Sequence, residues 1–379
     1  MIERWTIGPL SDEVERALER LIGHPNIARV AVMPDVHLSQ EFCIGTVTAS
    51  ESHIFPRAVG DDIGCGMAAI ALDTDADVLA DPRRAQGLLR ALARLVPPHR
   101  HGPDTLPDLP TGLGGEELSD PRLTREVARD GRVQLGTLGR GNHFVELQRA
   151  AEGRLWLMVH SGSRAMGQRI TQFHVGHSVS GLDSSAAGGD GLGSIEANSP
   201  AGRAYLHDVD WARRYARANR QHLVEAVAVA LEALFGVSSD EATLIDCDHN
   251  HVEWEHHDGR GWWVHRKGAL RARDGEPGVI PGSMGSPSYH VTGRGCERAL
   301  TSSSHGAGRA MSRTEARRNV GLRDFRRELG RVHFDRRIED ALREEAPGCY
   351  KDIDAVMRAQ RELTRIERRL EPVLVYKAN

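Results

Sequence analysis

Apolar positions recur along the chain at two periods, and the two alternate irregularly. From Ser11 to Ile22, Val14, Leu18, Leu21 and Ile22 share one side of a 3.6-residue repeat. This predicts a short amphipathic helix entered through Ser-Asp-Glu. Helical spacing returns at Arg83–Leu95 and over Ala201–Phe235, the longest such stretch, which reads as one helix or two. It returns again in the charged run Asp352–Leu370. Short continuous apolar runs predict strands at Arg29–Met33, Met67–Leu72, Leu155–His160, Leu244–Asp246, Trp262–His265 and Pro372–Tyr376. Pro97–Pro121 is a Pro/Gly-rich surface connector, and Ser178–Asn198 is rich in Ser and Gly and reads as mobile. No internal repeat is visible, and no regular βαβ alternation. The expectation is an α+β fold with mixed or antiparallel sheets flanked by helices, in one compact domain over residues 1–379.

Composition narrows the function classes. The chain has 379 residues and a net charge of −4, so any nucleic-acid partner must meet a local basic patch rather than a global field. No run of 18 apolar residues exists, and the charged N-terminal stretch has no apolar signal core. A cytoplasmic protein with no membrane partner is expected. Five scattered cysteines without a C-x-x-C pair make neither a disulfide framework nor a zinc ribbon. Of 49 basic residues only Lys267, Lys351 and Lys377 are lysines, which marks those three positions for attention.

Glycine is concentrated in short turns after strand-like runs, and these turns carry metal-competent side chains. Asp62 and Cys65 lie three apart in one turn, and His143, His160 and His249 lie in three others. One Asp, one Cys able to bridge two cations and three imidazoles would suit a binuclear site. Taken singly, each is more often a core cysteine or a satisfied structural histidine than a ligand. Thiolate and imidazole favour Zn over Mn on affinity grounds, so spacing leaves the metal open. His251, Glu253, Glu255, His256 and His257 lack the H-E-x-x-H order and are read as a solvated polar face. His99 and His101 are read as exposed. The turn-rich run Ile280–Ser288 could cradle phosphate or be an ordinary loop. No Walker A or Rossmann glycine signature is present. His305, flanked by Ser304 and Gly306, could be a nucleophile toward phosphorus, a further metal ligand or a core histidine.

Together these loops resemble the RtcB family of GTP- and Mn-dependent RNA ligases. In order they read MPDVH (33–37), D-x-x-C-G (62–66), LGRGNHFVE (138–146), HSGSR (160–164), DHN (248–250), HRKGA (265–269), IPGSMG (280–285) and SHGAGR (304–309), with Lys377 near the end. The resemblance implies joining of RNA 3′-phosphate or 2′,3′-cyclic phosphate ends to 5′-hydroxyl ends. His305 would be the catalytic nucleophile, forming a covalent histidine–GMP from GTP. Two Mn2+ ions would be held by Asp62, Cys65 and His143, and by Cys65, His160 and His249. The guanylate would be held by Asn142, His143, Phe144, Val145, Glu146, His249, Asn250, Pro281, Gly282, Ser283, Met284, Ser288, His305, Gly306, Ala307, Gly308 and Lys377. Arg164, Lys267 and Arg309 would contact RNA or triphosphate. The partners implied are GTP and RNA, with a monomer compatible and the oligomeric state left open.

The chain also departs from the pattern. Leu38–Cys43 replaces a Gly-rich continuation, the connector is short, and Asp61 and Gly64 are unusual beside the Asp/Cys pair. These changes bear on substrate preference, since every ligand and nucleophile position is filled. A specialised paralogue is one reading. The competing functions are a guanylyltransferase that only caps 3′-phosphates, and a ligation-deficient RNA- or ribosome-associated factor.

Overall fold

The fold is seen in a computed structural model that describes residues 1–39, 42–102, 105–180 and 192–377. Two sheets dominate. The smaller has the order β1 (Ile2–Arg4), β2 (Arg29–His37), β3 (Ile44–Ser50), β11 (Arg260–Lys267) and β10 (Asn250–His257). Only its β1–β2 pair is parallel. The larger sheet is antiparallel throughout. Its order is β13 (Pro277–Ile280), β14 (Ser288–Gly293), β16 (Thr364–Tyr376), β6 (Phe144–Ala150), β7 (Arg154–Ser161), β5 (Gly66–Asp75) and β9 (Ser239–Asp248). Two-stranded pairs, β4 (His53–Ile54) with β8 (Ile195–Glu196) and β12 (Ala269–Arg271) with β15 (Ser302–Ser304), complete the strands. The α+β reading holds.

Strands β5 and β7 are buried on both faces, which is why they read as unbroken apolar runs. On one face Ile70, Leu147 and Leu157 pack against Leu88 and Leu92 of α2 (Pro82–Leu95) and Leu223 of α5 (Pro200–Phe235). The second core joins α5 to α3 (Pro121–Gln134) and α4 (Ala165–Ser180), with Trp211 stacked on Tyr215 at 5.2 Å. Helix α1 (Asp12–Ile22) packs on β2, and the Ser11 hydroxyl accepts from the Val14 N–H as its cap. Helices α6 (Arg313–Asn319), α7 (Leu322–Leu329) and α8 (Glu339–Leu342) gather around Phe325 and Phe334. Helix α9 (Ile353–Ala359) precedes the last strand.

Several expectations change. Ala201–Phe235 is one continuous helix, capped by Ser199 and ended by Gly236 at φ 68°. The charged run Asp352–Leu370 is not one helix: after α9 the chain enters the 13-residue strand β16. Its first half is solvent-facing, and Arg365–Glu367 pairs along the strand, so charge concealed the strand period. Helix α3 follows the connector and was not anticipated. Most of Ser178–Asn198 lies outside the described residues, and its end pairs as β8 with β4. Among the described residues no helix is long and apolar enough to cross a membrane.

Candidate active site

Strand ends converge at one place. The Asp62/Cys65 turn leads into β5, Asn142-His143 leads into β6, and His160 sits one residue before the end of β7. His249 separates β9 from β10, and β15 delivers His305. Backbone bonds lock the turns together: the His249 N–H donates to the Cys65 carbonyl at 2.8 Å, and the Gly64 N–H to the Asn250 carbonyl at 2.7 Å. The Asn250 amide donates to the Asp62 carbonyl at 3.0 Å and accepts from the Gly268 N–H at 2.9 Å.

The side chains of these turns meet. Cys65 Sγ lies 3.4 Å from His143 Nε2 and 3.3 Å from His160 Nε2. The donor atoms of this buried trio fall within 4.8 Å of one another. Asp62 Oδ2 is 3.0 Å from His143 Nε2. The His249 ring stands 5.2 Å from the His160 ring and 4.7 Å from that of His305. The far ring nitrogens are anchored on carbonyls: His143 Nδ1 on Leu138 at 3.0 Å and His160 Nδ1 on Asn142 at 3.0 Å. At His160 this bond fixes the tautomer that leaves Nε2 with its lone pair toward Cys65, whereas His143 also meets Asp62 through Nε2 and Arg164 through Nδ1. His249 Nδ1 is buried and has no hydrogen-bond partner among the described residues.

Electrostatics prepares the cluster for a cation. Burial pushes His160 and His249 well below the usual imidazole range, so both are neutral donors. Burial, reinforced by the Asp62 charge, pushes the Cys65 thiol well above its usual range. Burial alone would raise Asp62, but its bond to His143 and the nearby Arg164 hold it at about 2. A bound cation reverses this balance at sulfur, because coordination removes the thiol proton. The donor set therefore fits a metal ion: a carboxylate, a thiol and imidazoles aimed at one another, with one buried imidazole nitrogen unsatisfied.

His305 stands between the cluster and a cleft. Its Nδ1 is 2.6 Å from Asp35 Oδ2, which also accepts from the His305 backbone N–H at 3.1 Å. Asp35 is fully buried. Gly308, at φ 74°, brings its loop against the Asp35 backbone, where a Cβ would sit 2.2 Å from the carbonyl oxygen. The cleft, about 240 Å³, is lined on one side by Asn142, Phe144 and Glu146 and on the other by Pro281–Met284, Ser288 and His305–Arg309, with Lys377 at its floor. Burial pushes the Glu146 carboxyl up to about 8, opposed by its bond with Gln148 and the Lys377 charge. Lys377 Nζ is 2.8 Å from Glu345 Oε2 and 5.7 Å from the centre of the Phe144 ring.

The structure thus gathers most of the candidate residues, in two groups. His249, Asn250 and Lys267 line a second cavity, beside Asp62, Cys65 and the other edge of His305. Arg164 lies behind the donor cluster, its Nη1 3.1 Å from His143 Nδ1. Val145 faces away into the helix-covered core, so only its backbone borders the site. Several residues went unnoticed: Asp35, although it lies inside MPDVH, and His37, Arg313, Glu345 and Tyr350, which complete the cleft wall. Lys351 braces the end of β2 around Asp35, its Nζ bonded to the Pro34 and Val36 carbonyls. The polar run after His249 is solvated only in part: His256 is exposed and Glu253 half-buried, but His251, Glu255 and His257 are buried and paired, with Arg266 forked on Glu255.

Comparison with known proteins first places the chain among RNA ligases. It is 35% identical over 402 residues to the RNA-splicing ligase RtcB of Escherichia coli (strain K12), covering 99% of this chain and 97% of that protein. It is 33% identical over 427 residues to the RNA-splicing ligase RtcB of Mycobacterium tuberculosis (strain H37Rv), covering 92% and 97%. It is 31% identical over 428 residues to RNA-splicing ligase RtcB homolog 1 of Entamoeba histolytica, covering 93% and 81%. The family model described as tRNA-splicing ligase RtcB matches residues 18–110 and 112–378. The chain belongs to the RtcB family.

Proposed function

We propose that residues 1–379 act as one ligase domain that joins RNA 3′-phosphate or 2′,3′-cyclic phosphate ends to 5′-hydroxyl ends, using GTP and two Mn2+ ions. The observation that carries this reading is His305, held by Asp35 through Nδ1 between a metal-competent cluster and a nucleotide-sized cleft. With the Nδ1 proton on the Asp35 side, Nε2 keeps the lone pair a nucleophile needs. In the first step Nε2 forms a bond to the α-phosphorus of GTP, the bond from that phosphorus to the bridging oxygen breaks, and pyrophosphate leaves. Asp35 stabilises the cationic imidazole that results, as an acid behind a histidine does in other covalent enzymes. A 2′,3′-cyclic phosphate is first opened by water to a 3′-phosphate; an oxygen of the 3′-phosphate then takes the GMP from His305 Nε2, and the 5′-hydroxyl attacks the 3′-phosphorus and releases GMP.

The cations would be held by Asp62, Cys65, His143, His160 and His249, where they would neutralise charge on the triphosphate and the leaving pyrophosphate. Guanine suits the cleft end formed by Phe144, Glu146 and Lys377: a carboxylate can accept from the ring N–H and the exocyclic amine together. Lys267 and Arg309 lie where phosphate would approach His305 from its two sides. Incubation with GTP, Mn2+ and RNA bearing 3′-phosphate and 5′-hydroxyl ends should give a joined product. A product ending in GMP on the 3′-phosphate, with no joined RNA, would replace ligation by capping.

A further inference from the structure

One segment carries a charge unlike the rest of the chain. Residues 309–343 contain 11 arginines and six acids, a net of +5 in a chain whose total is −4. Seven of these arginines bond to carboxylates. Glu344 and Glu345, which follow, turn inward, with side chains 12% and 6% exposed. The other four, Arg318, Arg323, Arg331 and Arg336, are exposed and bond to no carboxylate among the described residues. Arg318 and Arg323 project opposite the buried residues of their helices, Ala316 in α6 and Phe325 and Leu329 in α7. The segment joins the cleft directly. Arg313, at the start of α6, lines the nucleotide-sized cleft, and it also lines a neighbouring cavity with Arg140, Arg317 and Lys377. Cations therefore continue along the chain from Arg313 at the cleft through α6 and α7 to Arg331 and Arg336 in the segment that follows.

The geometry points to the surface of α6, α7 and the segment that follows as the track for the single-stranded RNA segment that leads into the cleft, with Arg318, Arg323, Arg331 and Arg336 as backbone-phosphate contacts. The inference rests on the ligase reading for the identity of the cleft. Exposed guanidiniums that bond to no carboxylate, on an acidic protein, suit a polyanion, and phosphate contacts of this kind set affinity and salt dependence without reading sequence. None of the four touches the cleft, so the first chemical step does not need them.

The test is the quadruple variant Arg318→Ala/Arg323→Ala/Arg331→Ala/Arg336→Ala, with a control that removes Arg83, Arg84, Arg90 and Arg94 from α2. Two quantities are measured on each folded protein. One is the affinity for a fluorescent single-stranded RNA with a 3′-phosphate, followed against KCl. The other is covalent labelling by α-labelled GTP without RNA. The expected result is RNA binding weakened at least about tenfold, with a salt slope shallower by about 2–3, since each lost single-strand contact removes about 0.7. Labelling should stay at the wild-type level, and the control should bind RNA normally. An unchanged salt slope in the quadruple variant, or an equal loss in the control, overturns the track. Absence of labelling in the wild type instead sinks the ligase reading, while a flattened slope would still support an RNA surface here.

Discussion

Two clusters of histidines and acids adjoin β10, one at its start and one along its length, and they behave in opposite ways. At its start, Cys65, His143 and His160 bring their donor atoms together, the His249 ring stands 5.2 Å from that of His160, and Asp62 is bonded to His143. Along its length, each acid meets an arginine. Arg266 forks onto Glu255 at 2.6 and 3.1 Å, Arg213 holds Asp248 and Glu253 at 2.8 Å each, and Arg271 takes the other Glu253 oxygen at 2.7 Å. His257 adds a bond to Glu255 at 2.9 Å, and burial there is outweighed by Glu255 and Glu297, which raise its imidazole above the usual range. Residue type does not separate the two clusters. A cation already supplied by the chain closes one of them, while the other keeps the neutral imidazoles of His160 and His249 beside the Cys65 thiol and the Asp62 carboxylate.

Exchanging what each cluster lacks or holds gives the sharpest tests. The largest effect is expected from Cys65→Ala, which takes a donor from the centre of the open cluster. Mn2+ binding in calorimetric titration and GTP-dependent labelling should both fall to background, while far-ultraviolet circular dichroism stays native. Retained tight Mn2+ binding would remove the cluster from the mechanism. Asp35→Ala comes next. The histidine stays but its tautomer is no longer held, so the labelling rate should fall by about 10² or more with little change in GTP affinity. An affinity loss with an unchanged rate would make Asp35 a binding residue instead.

In the closed cluster, Arg266→Met leaves Glu255 buried without its fork. Denaturant unfolding should show a loss of about 3–5 kcal/mol, the usual consequence of stranding one member of a buried pair. Metal binding per folded molecule should be unchanged. Stability within about 1 kcal/mol of wild type would mean that His257 alone suffices for Glu255. The smallest effect concerns Glu146. Its carboxyl is pushed up to about 8, so at neutral pH the empty cleft holds it mostly protonated. A guanine that needs the ionised form must release that proton. GTP affinity should therefore rise with pH, by up to about tenfold per unit, and level off above about 8. Glu146→Gln should bind GTP weakly and without this slope; a slope that survives the change assigns it to another group.

Much of the site could be read from the chain because strand-end turns compress functional residues into short motifs. Asp62 and Cys65 share one turn, and the histidines each close or open a strand, so local sequence carries both identity and position. The arginine partners could not be read that way. Arg266 follows His265 on β11 and looks like a basic turn, and only the antiparallel register that sets His251 opposite Arg266 brings it to Glu255. The same non-local pairing hid Asp35, which lies 270 residues from His305 in the chain. Strand β16 failed for another reason: its exposed half alternates charges that also suit a helix surface, and tertiary pairing with β14 and β6 decides the outcome.

The central claim is that His305, poised by Asp35 beside the open cluster, takes the guanylate. The most direct measurement is intact-protein and peptide mass spectrometry after incubation with GTP and Mn2+, on the wild type and on His305→Ala. The account predicts a GMP adduct on the peptide that carries His305 in the wild type, labile to acid as a phosphoramidate is, and none in the variant. An adduct that persists in His305→Ala, or that maps to another residue, contradicts it.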